Sequence, residues 1–121
     1  MRIGVAQLNS TVGDLPGNLA LALDAYEQLV GQGSDLVVFP ELFISGYPPR
    51  DLLIKEKFLQ DSLEVLQEFA RQTGPTPALI GFPESAPKHP SKTCNSAAWC
   101  EHSKVEQVFR TGLLPTYDVF D

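Results

Sequence analysis

The sequence predicts an α/β fold whose β-sheet is mixed. Strand, helix and strand patterns follow one another within the first 39 residues, and a third strand pattern follows a second helical region. The last two strand patterns are separated by only His102 and Ser103. The first arrangement is a βαβ unit, whose strands are parallel and whose crossover is right-handed; the last is an antiparallel hairpin. With 121 residues, 43% of them hydrophobic and 20% charged, the chain has the composition of one globular domain. At that length it buries roughly two-thirds of its unfolded surface, enough for a core without disulfides or metals.

Arg2 to Leu8 alternates Ile3, Val5 and Gln7 with Gly4, Ala6 and Leu8. It is apolar enough to predict a central strand covered on both faces. Residues 9–18 are rich in turn formers, and Asn18 is placed to cap a helix over about 19–31. Leu19, Leu23, Tyr26, Leu29 and Val30 form its buried stripe, and Gly31 and Gly33 supply the stop. Leu36–Phe39 is a buried strand ended by Pro40, and 41–50 is a loop with Asp51 as the next cap. A helical region over about 52–72 carries Phe58, Leu59, Ser62, Leu63, Leu66, Phe69 and Ala70 on its apolar face, with Lys55, Glu56 and Lys57 as a polar interruption. Gly74–Pro77 ends it, and Ala78–Phe82 is the third strand. Residues 83–93, with Pro83, Pro87 and Pro90, read as a solvent loop before strands at about 94–101 and 104–110.

A net charge of −6 with no basic stripe makes nucleic acid an unlikely partner. No apolar run approaches the ~18 residues of a membrane helix, and the N-terminus enters a strand pattern directly, so no membrane association and a cytoplasmic location are expected. Cys94 and Cys100 stand six apart in one extended segment, on the order of 20 Å at ~3.3 Å per residue, which excludes a disulfide between them. The His and Cys residues have no metal-ligand spacing, and no Gly-rich phosphate loop of the G-x-x-x-x-G-K type occurs.

The position that points to chemistry is Glu41, a carboxylate just beyond the C-terminal end of a parallel strand, the edge where open α/β sheets place their ligand crevices. It lies in Phe39-Pro40-Glu41-Leu42-Phe43, followed by Ser45-Gly46-Tyr47-Pro48-Pro49. Here the chain resembles the carbon-nitrogen hydrolase (nitrilase) superfamily. Three passages are similar to its glutaminase branch in glutamine-dependent NAD synthetases: Val5–Asn9 with Thr11–Asp14, Ser45–Leu53, and Leu114–Asp121. The resemblance implies the N-terminal half of an αββα nitrilase-type sandwich: residues 1–121 as a single partial domain, ending before the nucleophile segment. It also implies an amidase mechanism using Glu, Lys and Cys in that chain order. A thiol is mostly protonated at neutral pH, so a carboxylate must take its proton before the sulfur attacks the amide carbonyl. Glu41 matches that general base.

Two departures fall on catalysis. Four residues before Pro115, where the family has its lysine, stands Thr111, which carries no charge for the oxyanion. Losing one such donor costs ~2.7–4 kcal/mol where this has been tested. Arg110 is adjacent, but on a strand of period two it points to the opposite face unless the strand slips or bulges; Gly112 is a sign of irregular backbone. The family's nucleophilic cysteine follows this segment, and Cys94 and Cys100 precede it, so neither matches; both read as small, buried or half-buried thiols. A His102–Cys100 pair has no third orienting group. By resemblance Tyr47 and Tyr117 line the glutamine pocket, their alternative being ordinary aromatic packing. His89 reads as solvated and Trp99 as sheet packing.

The resemblance thus implies glutamine hydrolysis that supplies ammonia for ATP-dependent amidation of deaminated NAD. Glutamine, the remainder of the glutaminase domain and a synthetase domain are the implied partners. ATP and Mg are expected only in that synthetase domain, with no cofactor in this chain. The 121 residues by themselves are expected to be inactive, and a homo-oligomer is expected; a stand-alone half sandwich, with sheet edges and apolar helix faces uncovered, should dimerise, swap elements or aggregate. The alternatives are a catalytically dead nitrilase-like binding or subunit-contact module, a small stand-alone α/β protein or gene remnant, and another amidase of the same superfamily.

Overall fold

The computed structural model describes residues 1–47, 55–86 and 89–113, with the backbone alone at 89–92 and 111–113. The elements are β1 (Ile3–Val5), α1 (Leu15–Gly31), β2 (Leu36–Val38), α2 (Glu56–Arg71), β3 (Ala78–Ala86), β4 (His89–Glu101) and β5 (Lys104–Leu113). Among the described residues they form one mixed sheet in the order β1-β2-β3-β4-β5. β1, β2 and β3 are parallel to their neighbours, and β3, β4 and β5 antiparallel. His102 and Ser103 both take positive φ (55° and 68°), the signature of a type I′ turn, whose twist matches that of the paired strands.

Register shows what each face of the sheet carries. Gly4, Val37 and Ala78 lie side by side, and Ile80, Phe82, Ala98 and Cys100 continue that face. They form one core with Ala22, Ala25, Tyr26, Leu66, Phe69 and Ala70 of the two helices. Phe69 meets both Tyr26 and Phe39 edge-on, at centroid distances of 5.9 and 5.5 Å. The alternate residues occupy the opposite face, where Ile3 (55% exposed), Val5 (54%) and Phe109 (43%) have no covering layer among the described residues. β1 is therefore an edge strand in this sheet, not the central strand its apolar content predicts. Its density of apolar residues serves one helix-packed face and one open face.

The first helix starts four residues earlier than its pattern suggests. Asp14, not Asn18, is the cap: its Oδ1 accepts from the Gly17 amide at 3.0 Å. Pro16 and Gly17 read as loop residues, yet the first turn tolerates them because its amides have no helical partner. The helix ends in a Schellman motif, with Gly33 at φ 91°, its amide donating to the Val30 carbonyl and the Ser34 amide to that of Leu29. α2 begins at Glu56. Residues 48–54, including the cap expected at Asp51, lie outside the described residues. Leu63, expected on the apolar face of α2, is exposed.

The solvent loop read at 83–93 is a correction, since β3 runs to Ala86 and β4 begins at His89. Pro83 is buried and pairs with Asn95. Leu79 and Gly81 turn their carbonyls toward the β2 side, accepting from the Phe39 and Ile44 amides. Pro83, two residues on, thus places its N–H-less nitrogen on the side where β2 has already ended, so no ladder bond is lost.

Asn18, freed from capping, is fully buried and ties two loops together. Its amide nitrogen donates to the carbonyl oxygens of Thr11 (2.8 Å) and Ile44 (2.9 Å), and its oxygen accepts from the Thr11 amide (2.8 Å). No helix among the described residues is long and apolar enough to cross a membrane. Asn18→Ala leaves these buried backbone groups without partners, and equilibrium urea unfolding should show a loss of about 2–3 kcal/mol. A loss below half a kcal/mol would mean that water replaces the clamp.

Candidate active site at the carboxyl end of the parallel strands

The loops that follow β1 and β2 meet at the C-terminal edge of the parallel strands. The Gly13 amide donates to the Ser45 carbonyl (3.0 Å), and a side chain at Gly46, which has φ 73°, would meet the Val12 backbone at 2.9 Å. After Phe39 the chain leaves β2 and makes a tight turn, with the Gly46 amide donating to the Leu42 carbonyl at 2.7 Å. Leu42 takes φ 51°, a left-handed conformation that costs a non-glycine residue roughly 1–2 kcal/mol. Its side chain is almost completely buried, which offsets that cost.

Gly81 lets this turn sit where it does. A Cβ on Gly81 would come to 2.9 Å from the Glu41 Cα and closer still to the Leu42 amide, so the turn packs directly on the β3 backbone. The Ile44 amide then donates to the Gly81 carbonyl at 3.1 Å. Gly81 alternates with Ile80 and Phe82, whose side chains enter the helix-covered core. Glu41 therefore lies against the opposite, open face.

Residues 42–46 are buried, while the two ends of the turn, Glu41 and Tyr47, are exposed. The ends meet: the Tyr47 hydroxyl donates to Glu41 Oε1 at 2.6 Å. Donating this bond to Glu41, partial burial and the adjacent negative charge raise the Tyr47 phenol above its ordinary value, so it stays protonated. The sheet edge expected for Glu41 is the one observed, and Tyr47 is beside it. Nothing in the sequence signals the hydrogen bond itself, because the two residues share no periodic element. Gly81 did carry a signal: a glycine inside an apolar strand marks close approach of another backbone.

The two residues considered for the oxyanion lie on β5. Its register advances from Arg110, opposite Ser96, to Gly112, opposite Asn95, so Thr111 is the extra residue of a β-bulge. The irregular backbone that Gly112 suggested is there. Arg110 nonetheless does not turn toward Glu41. Its Nε lies 2.7 Å from Glu84 Oε2, which also accepts from the Ser96 hydroxyl at 2.7 Å. Glu84 and Ser96 share the face of Phe82, the face opposite to Glu41. The side chain of Thr111 and all of Tyr117 lie outside the described residues.

Neither cysteine is near this turn in register. Both are free and buried, Cys94 across from Glu84 and Cys100 across from Ala78. Burial pushes the Cys100 thiol up to about 12 and raises that of Cys94 as well. His102 faces Glu101 (3.3 Å), which also accepts from the Trp99 indole at 3.0 Å, so no His–Cys pair forms. His89 begins β4, not a loop. No group of three or more His, Cys, Asp or Glu among the described residues could hold a metal ion.

A mixed sheet with helices on one face, and a glutamate on a pinned turn at its parallel edge, define a class. The profile of the carbon-nitrogen hydrolases matches residues 2–110, and the chain belongs to that family. It is 43% identical to the glutamine-dependent NAD(+) synthetase of Thermotoga maritima, over all of this chain and 21% of that protein. With the Synechocystis sp. protein of the same name the identity is 38%, over 98% of this chain and 22% of the relative. Among solved structures, the glutamine-dependent NAD(+) synthetase of Cytophaga hutchinsonii superposes with a TM-score of 0.85 at 26% identity, covering 96% of this chain and 20% of that one. An amidase from Nesterenkonia sp. superposes with a TM-score of 0.74 at 27% identity, covering 91% and 42%. The fold is the α/β nitrilase-type fold of these structures. The chain spans about a fifth of the length of the curated relatives it matches.

Two outcomes test this geometry. Gly81→Ala should destabilise the fold by about 1–3 kcal/mol in thermal or urea unfolding, because the new methyl group meets backbone that cannot swing away. Iodoacetamide at pH 8 should leave both cysteines unmodified in the native protein and label both in denaturant. The thiolate is the reactive form, and burial keeps it unpopulated.

Proposed function

We propose that this chain is the base-bearing, N-terminal part of a glutaminase domain, in a protein that hydrolyses glutamine to supply ammonia for ATP-dependent amidation of deaminated NAD. The observation that carries this reading is Glu41, held on a backbone-pinned turn at the carboxyl edge of the parallel strands, in a chain similar over its whole length to glutamine-dependent NAD(+) synthetases. Glu41 is the general base. It takes the proton of a cysteine thiol supplied by the remainder of the domain, the thiolate forms a bond to the amide carbon, and the C–N bond breaks. The proton passes to the departing ammonia. Tyr47 and Tyr117 line the pocket, and Thr111 stands at the position of the oxyanion lysine without its charge.

Residues 1–121 form a single partial domain. Glutamine is its substrate, and ATP and Mg bind in a separate synthetase domain. The open face at Ile3, Val5 and Phe109 is covered by the rest of the glutaminase domain within a homo-oligomer. The compartment is the cytoplasm.

A second reading, a nitrilase-like domain without catalysis, is favoured by one observation. Arg110, the nearest cation to the lysine position in sequence, is taken up by Glu84 on the other face.

The full-length product of the gene should be assayed for glutamate and ammonia release from glutamine, with asparagine and simple amides as comparators. Release from glutamine in preference to the others, lowered roughly 10²-fold or more by Glu41→Gln, is the expected outcome. The 121-residue chain on its own is expected to release nothing above background. Release that appears only with Thr111→Lys would identify the missing oxyanion charge as the defect. If neither form releases ammonia, the non-catalytic reading replaces the glutaminase one.

A further inference from the structure

We propose that Tyr47 is a positioning residue for the base: its hydroxyl holds Oε1 of Glu41, so that Oε2 is the oxygen that receives the nucleophile's proton. This deepens the glutaminase reading and rests on it. A carboxylate at the end of a flexible side chain presents either oxygen in many orientations. A general base works only within hydrogen-bond reach of the proton it takes. The Tyr47–Glu41 bond, at 2.6 Å, removes that freedom with a short, charge-assisted contact.

The backbone between the two residues is built to keep the contact. The Gly46 amide closes the turn on the Leu42 carbonyl, the Ser45 carbonyl accepts from Gly13, Ile44 bonds Gly81 through its amide, and Asn18 donates to the Ile44 carbonyl. Every residue from 42 to 46 is buried, so Glu41 and Tyr47 are fixed at the two ends of one rigid unit. The Tyr47 side chain is 63% exposed, so within the described residues its hydroxyl bond to Glu41, not core packing, holds the ring.

The proton moves from the cysteine sulfur to Oε2, and from Oε2 to the amide nitrogen as the C–N bond breaks. The phenol keeps its own proton throughout. Its raised pKa fits that role, because a phenolate against the carboxylate would repel it. A tyrosine whose work is to contact glutamine would instead let its hydroxyl leave Glu41 for the substrate.

Tyr47→Phe in the full-length product separates these roles, and the exposed site should accept the change without loss of fold. The positioning role predicts a kcat for glutamine hydrolysis roughly ten- to a hundredfold lower with KM within about twofold, the size of effect that misplacing a reacting group produces. A KM raised tenfold with kcat unchanged would overturn it in favour of substrate contact. NMR titration of tyrosine ring carbons supplies a readout that needs no turnover. Tyr47 should ionise above the ordinary phenol range in the unsubstituted protein and closer to it in Glu41→Ala. An identical titration in the two proteins would also overturn the proposal. If the unsubstituted protein does not hydrolyse glutamine, the glutaminase reading fails, and the titration alone decides whether Tyr47 is held to Glu41.

Discussion

The structure depends on one close approach, the packing of the Glu41–Leu42 backbone onto Gly81. That contact needs a strand position with no side chain, and it fixes how far the chain can travel after β2 before it turns. The left-handed Leu42, the hydrogen bond from Ile44 to Gly81 and the burial of 42–46 all follow from it. The loop after β1 completes the arrangement from the other side, through Gly13, Val12 and the Asn18 clamp. Strain at Leu42 persists because the surrounding contacts determine the turn several times over.

The sheet keeps two chemistries apart. One face carries the helices, the buried thiols and the Glu84–Arg110–Ser96 cluster. The other carries Glu41 at its parallel edge and an uncovered apolar surface. Sheet geometry gives side chains no passage between the faces, so proximity in sequence to a candidate position means little: Arg110 and Thr111 are neighbours, yet Arg110 is committed to Glu84. β5 departs from strict alternation at two places, Glu106 and Thr111, each the extra residue where its register against β4 shifts.

Membership of the carbon-nitrogen hydrolases and the short span of the chain relative to its relatives fit the two-layer architecture. The face opposite the helices is open and apolar at Ile3, Val5 and Phe109 among the described residues. Glu41 and Tyr47 lie together at this sheet edge, joined by their hydrogen bond.

The sequence by itself determined the class of fold, the parallel-then-antiparallel order of strands, the two-residue hairpin at His102–Ser103 and the place of Glu41. These follow from local periodicity and turn chemistry, which act over a few residues and are written where they act. Tertiary structure decided the rest. Asn18 became a clamp instead of a cap because the groups it serves come from residues 11 and 44, and β1 lies at one end of the sheet because no strand among the described residues pairs on its far side. Pro83 joined a strand because β2 ends before reaching it, and Arg110 turned away because Glu84 lies 26 residues earlier on a strand two positions over. The Tyr47–Glu41 bond belongs to the same group, since a turn that pivots on Gly81 sets it. Each of these outcomes depends on which distant backbone or charge arrives alongside, and no pattern confined to neighbouring residues encodes that arrival.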